Sequence, residues 1–555
     1  MEFPNIYSLF RAQCEKYGDR PVFYTSSGEA WVPQTWTSFE NKVLDLGCAL
    51  LAKGLTNGGK VAILAGNIPE WTIVDVAAIS AGGVGVGIYP TSSPEQAHFI
   101  VEHSDAEFLV VENEGQLQTI SDTNEPYSKL KEIFIISAID DVSVELVRKK
   151  NSIFLDVAEL PVRPLSQVLK YGRQQREKHL PDLDRIGRSA KPDDTAIMVY
   201  TSGTTGQPKA AMLSHAYILN SVESLRRSVP IFDSDTSLSY LPGCHVAERI
   251  SGIYNRLYNG ASAYFVDDLS KLYTYMLDVK PTVFASLPRF FEKIHAAVVA
   301  QHGENAGPQA LKDAFGGNVR LLTSGGAPLP AEIAAFYEER GLPILQAYGL
   351  TENIAVAFNT VEQHKFGTVG KPMPMTEVRI ASDGEIEVRS PMMFSGYYKA
   401  PAETAEMFTN DGWLKTGDLG ELDEDGFLKI TGRKKEIIVL SSGKNVAPAL
   451  VENLVKESHL ISHCFVHGDG RNYCVALITI NADEAANMCP EEIQMRVDEV
   501  VAKTNRRVSS SEQIKKFVVL EEDFSLMRDE VTPTMKLKRN VVAANYEEIL
   551  ERLYE

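Results

Sequence analysis

Short apolar runs that alternate with longer helical patterns are the feature of this chain that most constrains its fold. Six of these runs have the length and the Val, Ile, Leu and Phe content of buried strands. They are Val61–Leu64, Glu107–Val111, Ile133–Ile136, Ser262–Val266, Thr282–Ser286 and Val319–Thr323. Such alternation predicts an α/β fold of layers with largely parallel sheets, in which ligand sites collect at the carboxyl ends of the strands.

The length of the chain requires more than one domain, because 555 residues exceed what a single hydrophobic core supports. From Ser382 onward the pattern changes to short strands and Asp/Gly turns such as Asp423–Gly426, which predicts a small β subdomain. A further break at Thr431–Glu436 precedes a separate small α/β unit. We therefore expect a large N-terminal domain of layered α/β subdomains plus the β subdomain over residues 1–432, and a C-terminal α/β domain over residues 433–555.

Composition excludes several classes of function. The net charge of −19 and the lack of a dense Lys/Arg tract argue against nucleic-acid binding. Six cysteines without a Cys-x-x-Cys pair favour a reducing compartment and give no metal cluster. The N-terminus does not resemble a signal peptide, and the longest apolar stretch, Val74–Tyr89, contains Asp75 and four glycines. That stretch predicts a buried helix running into a strand, so we expect a cytoplasmic protein, with peripheral membrane contact left open.

A loop rich in glycine and hydroxyl groups is the first candidate site. The segment Tyr200-Thr-Ser-Gly-Thr-Thr-Gly-Gln-Pro-Lys209 follows a strand-like run. Its glycines let backbone N–H groups approach an anion, while its hydroxyls and lysine add donors and charge. It is not a Walker loop, because Gly206 is followed by Gln207-Pro208-Lys209 and not by Lys-Ser/Thr. A phosphate-binding loop and an ordinary polar turn are equal alternatives for this segment alone.

Three further segments carry groups suited to a nucleotide. Leu345–Glu352 presents Tyr348, Thr351 and Glu352 together, which suits a purine, a phosphate and Mg²⁺. For this motif alone, however, a strand-to-helix turn capped by Thr351 is the favoured interpretation. Gly412–Asp418 sets a carboxylate after a glycine turn, where it could bind ribose hydroxyls or simply form the turn. Thr532–Arg539 is basic in an acidic chain, and a solvated loop is its alternative interpretation.

Taken together and in order, these segments resemble the adenylate-forming superfamily of acyl-CoA synthetases, nonribosomal adenylation domains and beetle luciferases. The resemblance covers nearly the whole chain, from Thr35 to Arg539. The six motifs that carry it are Tyr200–Lys209, Ser324–Pro328, Tyr348–Glu352, Gly412–Asp418, Gly432–Lys435 and Pro533–Lys536.

Three segments resemble the long-chain fatty acyl-CoA synthetase branch: Ser239–Arg249, Leu287–Ile294 and Thr532–Arg539. An amino-acid-activating relative is expected to have an aspartate near His245, which this chain lacks, although Glu248 lies close by in sequence. Gly243-Cys244 and Phe290-Phe291 depart from the branch pattern. Because both departures could reshape the acyl pocket, the preferred chain length stays open.

The resemblance implies an ATP-dependent fatty acid–CoA ligase of fatty acid metabolism, with Mg²⁺ as cofactor and ATP and coenzyme A as co-substrates. A fatty acyl-AMP ligase that delivers to a carrier protein is the alternative, and a luciferase-like oxidase shares the first half-reaction. A catalytically silent nucleotide sensor would lack Lys536, Glu352 or Asp418, and all three are present. The chain could act as a monomer or a homodimer.

The resemblance also assigns roles to residues in the first half-reaction. Residues implied at the ATP phosphates are Thr201, Ser202, Gly203, Thr204, Thr205, Gly206 and Lys209, and Thr351 donates a hydrogen bond to phosphate. Those implied at adenosine are Gly325, Gly326, Ala327, Tyr348 and Gly349 around adenine, and Asp418 and Arg433 at ribose. Glu352 is implied as the Mg²⁺ ligand, and Lys536 as the group that bridges the carboxylate and the α-phosphate.

For the second half-reaction, the resemblance implies that a mobile C-terminal domain rotates about a hinge near Lys435. Gly443 and Lys444 then border the coenzyme A tunnel, since a side chain at residue 443 would block it. His245 either gates the acyl pocket or helps position the thiol, and a purely structural histidine is the alternative.

Overall fold

A seven-stranded sheet forms the centre of the N-terminal part of this computed structural model. Its strands, in spatial order, are Val162–Pro164, Glu132–Ile135, Ala106–Val111, Lys60–Leu64, Val84–Ile88, Thr195–Thr201 and Lys209–Ser214. Neighbouring strands are parallel except at the edge, where Lys209–Ser214 runs antiparallel to Thr195–Thr201. The structure describes residues 2–28, 30–123, 125–137, 160–201, 207–326, 329–486, 488–532 and 536–555.

Two more sheets complete the large α/β part. A four-stranded sheet contains, in spatial order, Thr236–Ser239, Ser262–Phe265, Pro21–Ser26 and Trp31–Thr35. A five-stranded sheet contains Val283–Ser286, Leu321–Ser324, Ile344–Leu350, Asn353–Phe358 and Lys371–Pro372. In each sheet the first three strands are parallel and the remainder antiparallel, so the prediction of largely parallel sheets is confirmed for these layers.

The small β subdomain is an antiparallel sheet of Glu377–Ile380, Glu385–Arg389, Leu414–Leu422 and Leu428–Arg433. After it comes a short hairpin of Ile438–Val439 and Asn445–Val446, and then a sheet of Ile461–His467, Cys474–Ile480 and Ile514–Val519. Two apolar clusters drawn only from residues after the β subdomain fill the interior of this last unit. The mixed α/β fold class, with a large and a small domain, is thus confirmed, while the boundary at residues 432 and 433 stays a prediction.

Helices cover the sheets and connect their strands. In the N-terminal part the α-helices are Ile6–Tyr17, Trp36–Ala52, Pro69–Ser80, Pro94–His103, Glu114–Ser121, Leu165–Ser189, His215–Ser228, Asn255–Asn259, Leu272–Val279, Pro288–His302, Pro308–Asp313, Ala331–Glu339 and Pro401–Glu406. In the C-terminal part they are Pro448–Val455, Ala482–Ala485, Pro490–Asn505, Arg539–Asn545 and Glu547–Arg552. Tighter or wider turns form the 3₁₀-helices Leu269–Lys271 and Lys434–Glu436 and the π-helix Ala247–Tyr254.

The helix Pro69–Ser80 is buried except at Glu70 and runs into the strand Val84–Ile88, as its apolar sequence predicts. Its buried charge, Asp75, forms an ion pair with Arg249. The hydroxyl of Tyr254 donates a further hydrogen bond to Asp75 over 2.7 Å. A buried carboxylate is tolerated only with such partners. Within the described residues, no helix combines the length and the hydropathy that crossing a bilayer requires.

Candidate active site

The glycine- and hydroxyl-rich loop is the tip of the hairpin at the edge of the seven-stranded sheet. Thr201 pairs with Lys209 across the two strands, and the Thr201 hydroxyl donates to the Lys209 carbonyl over 3.4 Å. The predicted phosphate-binding residues Ser202, Gly203, Thr204, Thr205 and Gly206 lie outside the described residues. The base of the loop therefore begins at the carboxyl end of a parallel strand, where α/β folds bind their ligands.

A buried tyrosine fixes the turn that carries Thr351 and Glu352. The hydroxyl of Tyr217 donates to the Thr351 carbonyl and accepts from the Ile354 N–H, each over 3.0 Å. The turn leads into the antiparallel strand Asn353–Phe358. The alternative of a strand-to-helix turn is therefore wrong, because the chain turns back along the sheet and extends it.

Glu352 offers a buried carboxylate to a cation. The side chain accepts a hydrogen bond from the hydroxyl of Tyr397, and only 8 % of the residue is exposed. Burial raises the pKa of Glu352, and the Tyr397 hydrogen bond acts in the opposite direction. Among the described residues, no basic side chain lies within ion-pair distance of this carboxylate. A hard oxygen ligand of this kind fits Mg²⁺.

Lys209 lies on the other side of Tyr397. Its ammonium is 5.5 Å from the centre of the Tyr397 ring, so this ring contacts both the base of the phosphate loop and the predicted Mg²⁺ ligand. The Gly396-Tyr397 segment belongs to the connection between the β-subdomain strands Glu385–Arg389 and Leu414–Leu422. The sequence analysis missed Tyr397, since no spacing rule relates it to residues 45 or more positions earlier in the chain.

Asp418 joins the β subdomain to the adenine-side strand. The hydroxyl of Tyr348 donates to one carboxylate oxygen over 2.6 Å, and Nε of Arg433 binds the other over 2.9 Å. Asp418 and Arg433 are direct partners on neighbouring antiparallel strands. Burial, and then the charge of Asp418, raise the pKa of Tyr348 well above its ordinary value. Three predicted nucleotide-binding residues thus form one hydrogen-bonded group.

The backbone explains why glycine is needed at two of the predicted glycine positions. Gly325 and Gly326 follow the strand Leu321–Ser324, and Gly326 has a φ of 79°. A Cβ at Gly349 would lie 2.0 Å from the carbonyl oxygen of Ile354, so hairpin packing alone requires glycine there. Ala327 lies outside the described residues.

Lys536 reaches the nucleotide side of the site from the C-terminal domain. Two hydrogen bonds with Thr532 hold its backbone: the Lys536 N–H donates to the Thr532 hydroxyl over 3.1 Å, and the Thr532 N–H donates to the Lys536 carbonyl over 2.8 Å. Desolvation lowers the pKa of Lys536, and Arg433 adds to this, while Asp418 and Glu436 oppose it. The residue is nevertheless exposed to solvent.

His245 lies within electrostatic range of Lys536. Burial, and then the charge of Lys536, lower the pKa of this imidazole to about 4, so it is neutral at physiological pH. Its Nδ1 accepts from the Ala247 N–H over 3.2 Å, which leaves the proton on Nε2. The neutral His245 imidazole therefore carries a donor N–H at Nε2.

Glu248 is not free to bind a substrate ammonium group. It is buried, forms an ion pair with Arg256 and accepts a hydrogen bond from the Ser239 hydroxyl over 2.8 Å. Its charge is therefore already neutralised inside the protein. Glu248 therefore does not replace the aspartate that an amino-acid-activating relative is expected to have near His245.

The predicted coenzyme A residues do not join this group. Gly443 and Lys444 form an exposed turn, closed by a hydrogen bond of 2.9 Å from the Leu440 N–H to the Lys444 carbonyl. Gly443 has a φ of 77°, and a Cβ there would meet no heavy atom within 4 Å. Lys435 is also exposed, in the 3₁₀-helix Lys434–Glu436. This domain orientation thus brings Lys536 to the site and leaves the Gly443 turn in solvent.

Comparison with known proteins gives consistent matches along the chain. Residues 10–398 match the AMP-binding enzyme family, and residues 435–555 match the AMP-binding enzyme C-terminal domain. The chain is 33 % identical to the long-chain-fatty-acid–CoA ligase FadD15 of Mycobacterium bovis, over 94 % of this chain and 92 % of that protein. It is 30 % identical to the peroxisomal long chain acyl-CoA synthetase 6 of Arabidopsis thaliana, over 92 % and 80 %.

Solved structures share the fold at lower identity. The adenylation domain of a carboxylate reductase from Mycobacterium chelonae superposes with a TM-score of 0.82 at 22 % identity, covering 99 % of this chain and 91 % of that one. The A-PCP didomain of the carboxylic acid reductase from Segniliparus rugosus, in complex with AMP, gives 0.83 at 21 % identity, covering 99 % and 82 %.

Proposed function

Because the chain belongs to the AMP-binding enzyme family, we propose that its site joins a long-chain fatty acid to coenzyme A in two half-reactions. It is an AMP-forming acid–thiol ligase that uses ATP. The observation that carries this function is the approach of Lys536, from the C-terminal domain, to the Asp418–Arg433 pair. Transfer to a carrier protein is not favoured, since the curated relatives named above are ligases or synthetases that act with CoA.

In the first half-reaction, a carboxylate oxygen of the fatty acid attacks the α-phosphorus of ATP. An oxygen–phosphorus bond forms, and the bond to pyrophosphate breaks. Two anions must approach each other, so positive charge is needed where they meet. Lys536 supplies it as an ammonium that bridges the carboxylate and the α-phosphate, and its exposure leaves it accessible to both groups.

The nucleotide is held by the hydrogen-bonded group at Asp418. Tyr348 packs along adenine, while the Asp418 carboxylate accepts the ribose hydroxyl protons and Arg433 orients that carboxylate. The loop from Thr201 to Lys209 binds the β- and γ-phosphates. Glu352 holds Mg²⁺, which when bound neutralises phosphate charge. Tyr397 keeps the Glu352 carboxylate in place.

In the second half-reaction, the thiol of coenzyme A attacks the acyl carbonyl. A carbon–sulfur bond forms, the bond to AMP breaks, and the thiol proton leaves to solvent. Rotation of the C-terminal domain about Lys435 withdraws Lys536 and brings the Gly443 turn to the site. Lys435 is suited to this because it is exposed and sits in a single 3₁₀ turn between the two domains.

A pyrophosphate-release assay over carboxylic acids from acetate to long-chain fatty acids, run with and without coenzyme A, tests the reaction class and the substrate together. We expect release with long-chain acids, and thioester and AMP as products once coenzyme A is present. Release with no thioester, or a thioester only on an acyl carrier protein, would refute the ligase assignment.

Replacing Lys536 separates the two half-reactions. We expect Lys536→Ala to lower acyl-AMP formation by at least about a hundredfold, the usual cost of losing one group that stabilises transition-state charge. The same variant should still make thioester from preformed acyl-AMP. Lys538→Ala is the matched control, because Lys538 is in the same segment but pairs with Asp529.

A further inference from the structure

The two domains meet at a second contact, formed by helix Pro288–His302 and the end of helix Pro448–Val455. The rings of His295 and His459 stack across it, with centroids 6.5 Å apart and planes inclined by 27°. His295 also packs edge-on against Phe336, with centroids 4.4 Å apart. Within the described part of the chain, the buried Nδ1 of His295 has no hydrogen-bond partner. The contact is thus closely packed around His295.

Charges of opposite sign face each other across this contact. Glu292 lies one helical turn before His295, so both side chains project from the same face of the helix. Burial raises the pKa of Glu292, and His459, Arg289 and Lys456 act in the opposite direction. Of these three, His459 and Lys456 belong to the C-terminal domain. His459 and Lys456 of the other domain therefore offset part of the cost of burying the Glu292 carboxylate.

A second charge pairing supports the first. Arg507 of the C-terminal domain lies within electrostatic range of Glu332, which begins the helix Ala331–Glu339. Arg507 also binds Glu457 within its own domain. Around His295, burial and then His459 lower the imidazole pKa, Arg340 acts in the same direction, and Glu304 and Glu332 oppose them. The N-terminal face is thus mainly acidic and the C-terminal face mainly basic.

We infer that Glu292 and Glu332, facing Lys456, His459 and Arg507, form an electrostatic clamp that holds the C-terminal domain in the orientation of the first half-reaction. The clamp rests on the proposed function, in which the same domain must rotate for the second half-reaction. Its members are positioning residues that act through Lys536. Since Lys536 belongs to the same domain as Lys456, His459 and Arg507, the free energy that keeps the clamp closed also keeps Lys536 at the α-phosphate.

The clamp predicts an asymmetric effect on the two half-reactions. Removing one charge makes the closed orientation less populated, and coupling of this kind is typically worth about fivefold or more. We expect Glu292→Gln and Lys456→Gln each to lower acyl-AMP formation by about fivefold to tenfold. Thioester formation from preformed acyl-AMP should be unchanged or faster. Glu362→Gln, at an exposed glutamate of the N-terminal domain, is the control and should alter neither rate.

Rescue by charge exchange distinguishes the clamp from simple damage to packing. The double variant Glu292→Lys, Lys456→Glu restores the attraction with its sign reversed and should recover most of the acyl-AMP rate lost in either single exchange. Glu332→Gln is the second probe of the acidic face, and because Glu332 is exposed its replacement should leave folding intact.

Domain orientation can be measured without catalysis. Nitroxide labels are placed at the exposed residues 300 and 503, after Cys489→Ser has removed an exposed cysteine, and the distance between the two labels is measured by double electron–electron resonance. Wild type should give one dominant short distance, and Glu292→Gln a broader and longer distribution. Equal loss of both half-reactions, unchanged distances, or no rescue would overturn the clamp. If wild type makes no acyl-AMP, the proposed function fails instead, and the distances still test the clamp.

Discussion

At the scale of single residues, Asp418 is the side chain through which the proposed nucleotide site is organised. It is almost fully buried, yet its two oxygens are bound by a tyrosine from one sheet and an arginine from the neighbouring strand. Hydrogen bonds to a charged group are worth more than neutral ones, and an unpaired partner costs more still. Asp418 therefore affects nucleotide binding through both its charge and its hold on Tyr348 and Arg433.

Asp418→Asn should weaken ATP binding with little effect on folding, because the side chain keeps its size. Loss of charge-assisted hydrogen bonds of about 1.5–3 kcal/mol corresponds to a roughly tenfold to hundredfold rise in KM for ATP. The KM for the fatty acid should change far less. Asp411→Asn is the matched control, since Asp411 belongs to the same subdomain and pairs with Arg379 at the surface. A rise of equal size in the control would show that the effect is not local.

His215 makes folding stability depend on pH. It is 3 % exposed, and its Nδ1 accepts from the Ile6 N–H over 3.2 Å. Burial lowers its pKa to about 4, with Asp194 opposing. An unfolded histidine titrates near about 6.5. Between these two values the unfolded state binds the extra proton, so the free energy of unfolding falls as pH falls from about 6.5 to about 4.

We expect His215→Asn, whose amide oxygen can still accept from Ile6, to flatten this loss of stability by up to about 1.4 kcal/mol per pH unit. Urea unfolding followed by tryptophan fluorescence between about pH 7 and about pH 5 measures it. His302→Asn, at an exposed histidine, should keep the wild-type slope. A variant at residue 215 with the wild-type slope would contradict the assignment.

At the scale of elements, the strands of the large domain follow from their apolar runs to within about two residues. The run at residues 107–111 is the strand Ala106–Val111, and that at 319–323 is Leu321–Ser324. Strands buried on both faces read as continuous apolar segments, so their sequence identifies them directly. The turn after Leu350 was ambiguous, because pairing with a distant strand edge decides between a helix and a strand there.

Contacts between distant parts of the chain also limited what the sequence could predict about the candidate site. Motif residues such as Tyr348, Asp418 and Lys536 could be named from sequence, since each belongs to a short segment with its own pattern. Tyr217 and Tyr397 could not, because they act by contacts between segments that are 45 or more residues apart in the chain. Contacts of that kind exist only once the sheets and helices have packed.

Tyr217→Phe tests whether a helix supports the catalytic turn. The change removes one hydroxyl and with it the hydrogen bonds to Thr351 and Ile354. Leaving these buried groups unpaired costs about 1–3 kcal/mol. We expect a lower kcat for acyl-AMP formation, by about tenfold, with a smaller change in the KM for coenzyme A. Tyr7→Phe, which removes a partly buried tyrosine hydroxyl that binds Asp184, should reduce stability without lowering kcat.

At the scale of the whole molecule, the two C-terminal segments of the candidate site differ in position: Lys536 lies near the other site residues, and the Gly443 turn does not. Lys536 lies within electrostatic range of Asp418 and Arg433 while the Gly443 turn is exposed, so we propose that this orientation serves acyl-AMP formation and not thioester formation. An enzyme that must run both half-reactions in one cleft cannot keep both sets of residues there at once. Rotation of one domain resolves the conflict, and the clamp at Glu292 sets how much free energy the rotation requires.

Gly443→Leu should therefore impair only the half-reaction that takes place after the C-terminal domain has rotated. In the present orientation a side chain at residue 443 meets nothing, so acyl-AMP formation should stay within about twofold of wild type. After rotation the leucine would fill the coenzyme A tunnel, and thioester formation should fall by at least about a hundredfold. The positive φ of Gly443 strains most side chains, and Gly443→Asn controls for this because asparagine tolerates that backbone better than leucine does. If the asparagine variant lost as much as the leucine variant, backbone strain would be the cause; if the leucine variant kept its thioester activity, the tunnel would lie elsewhere.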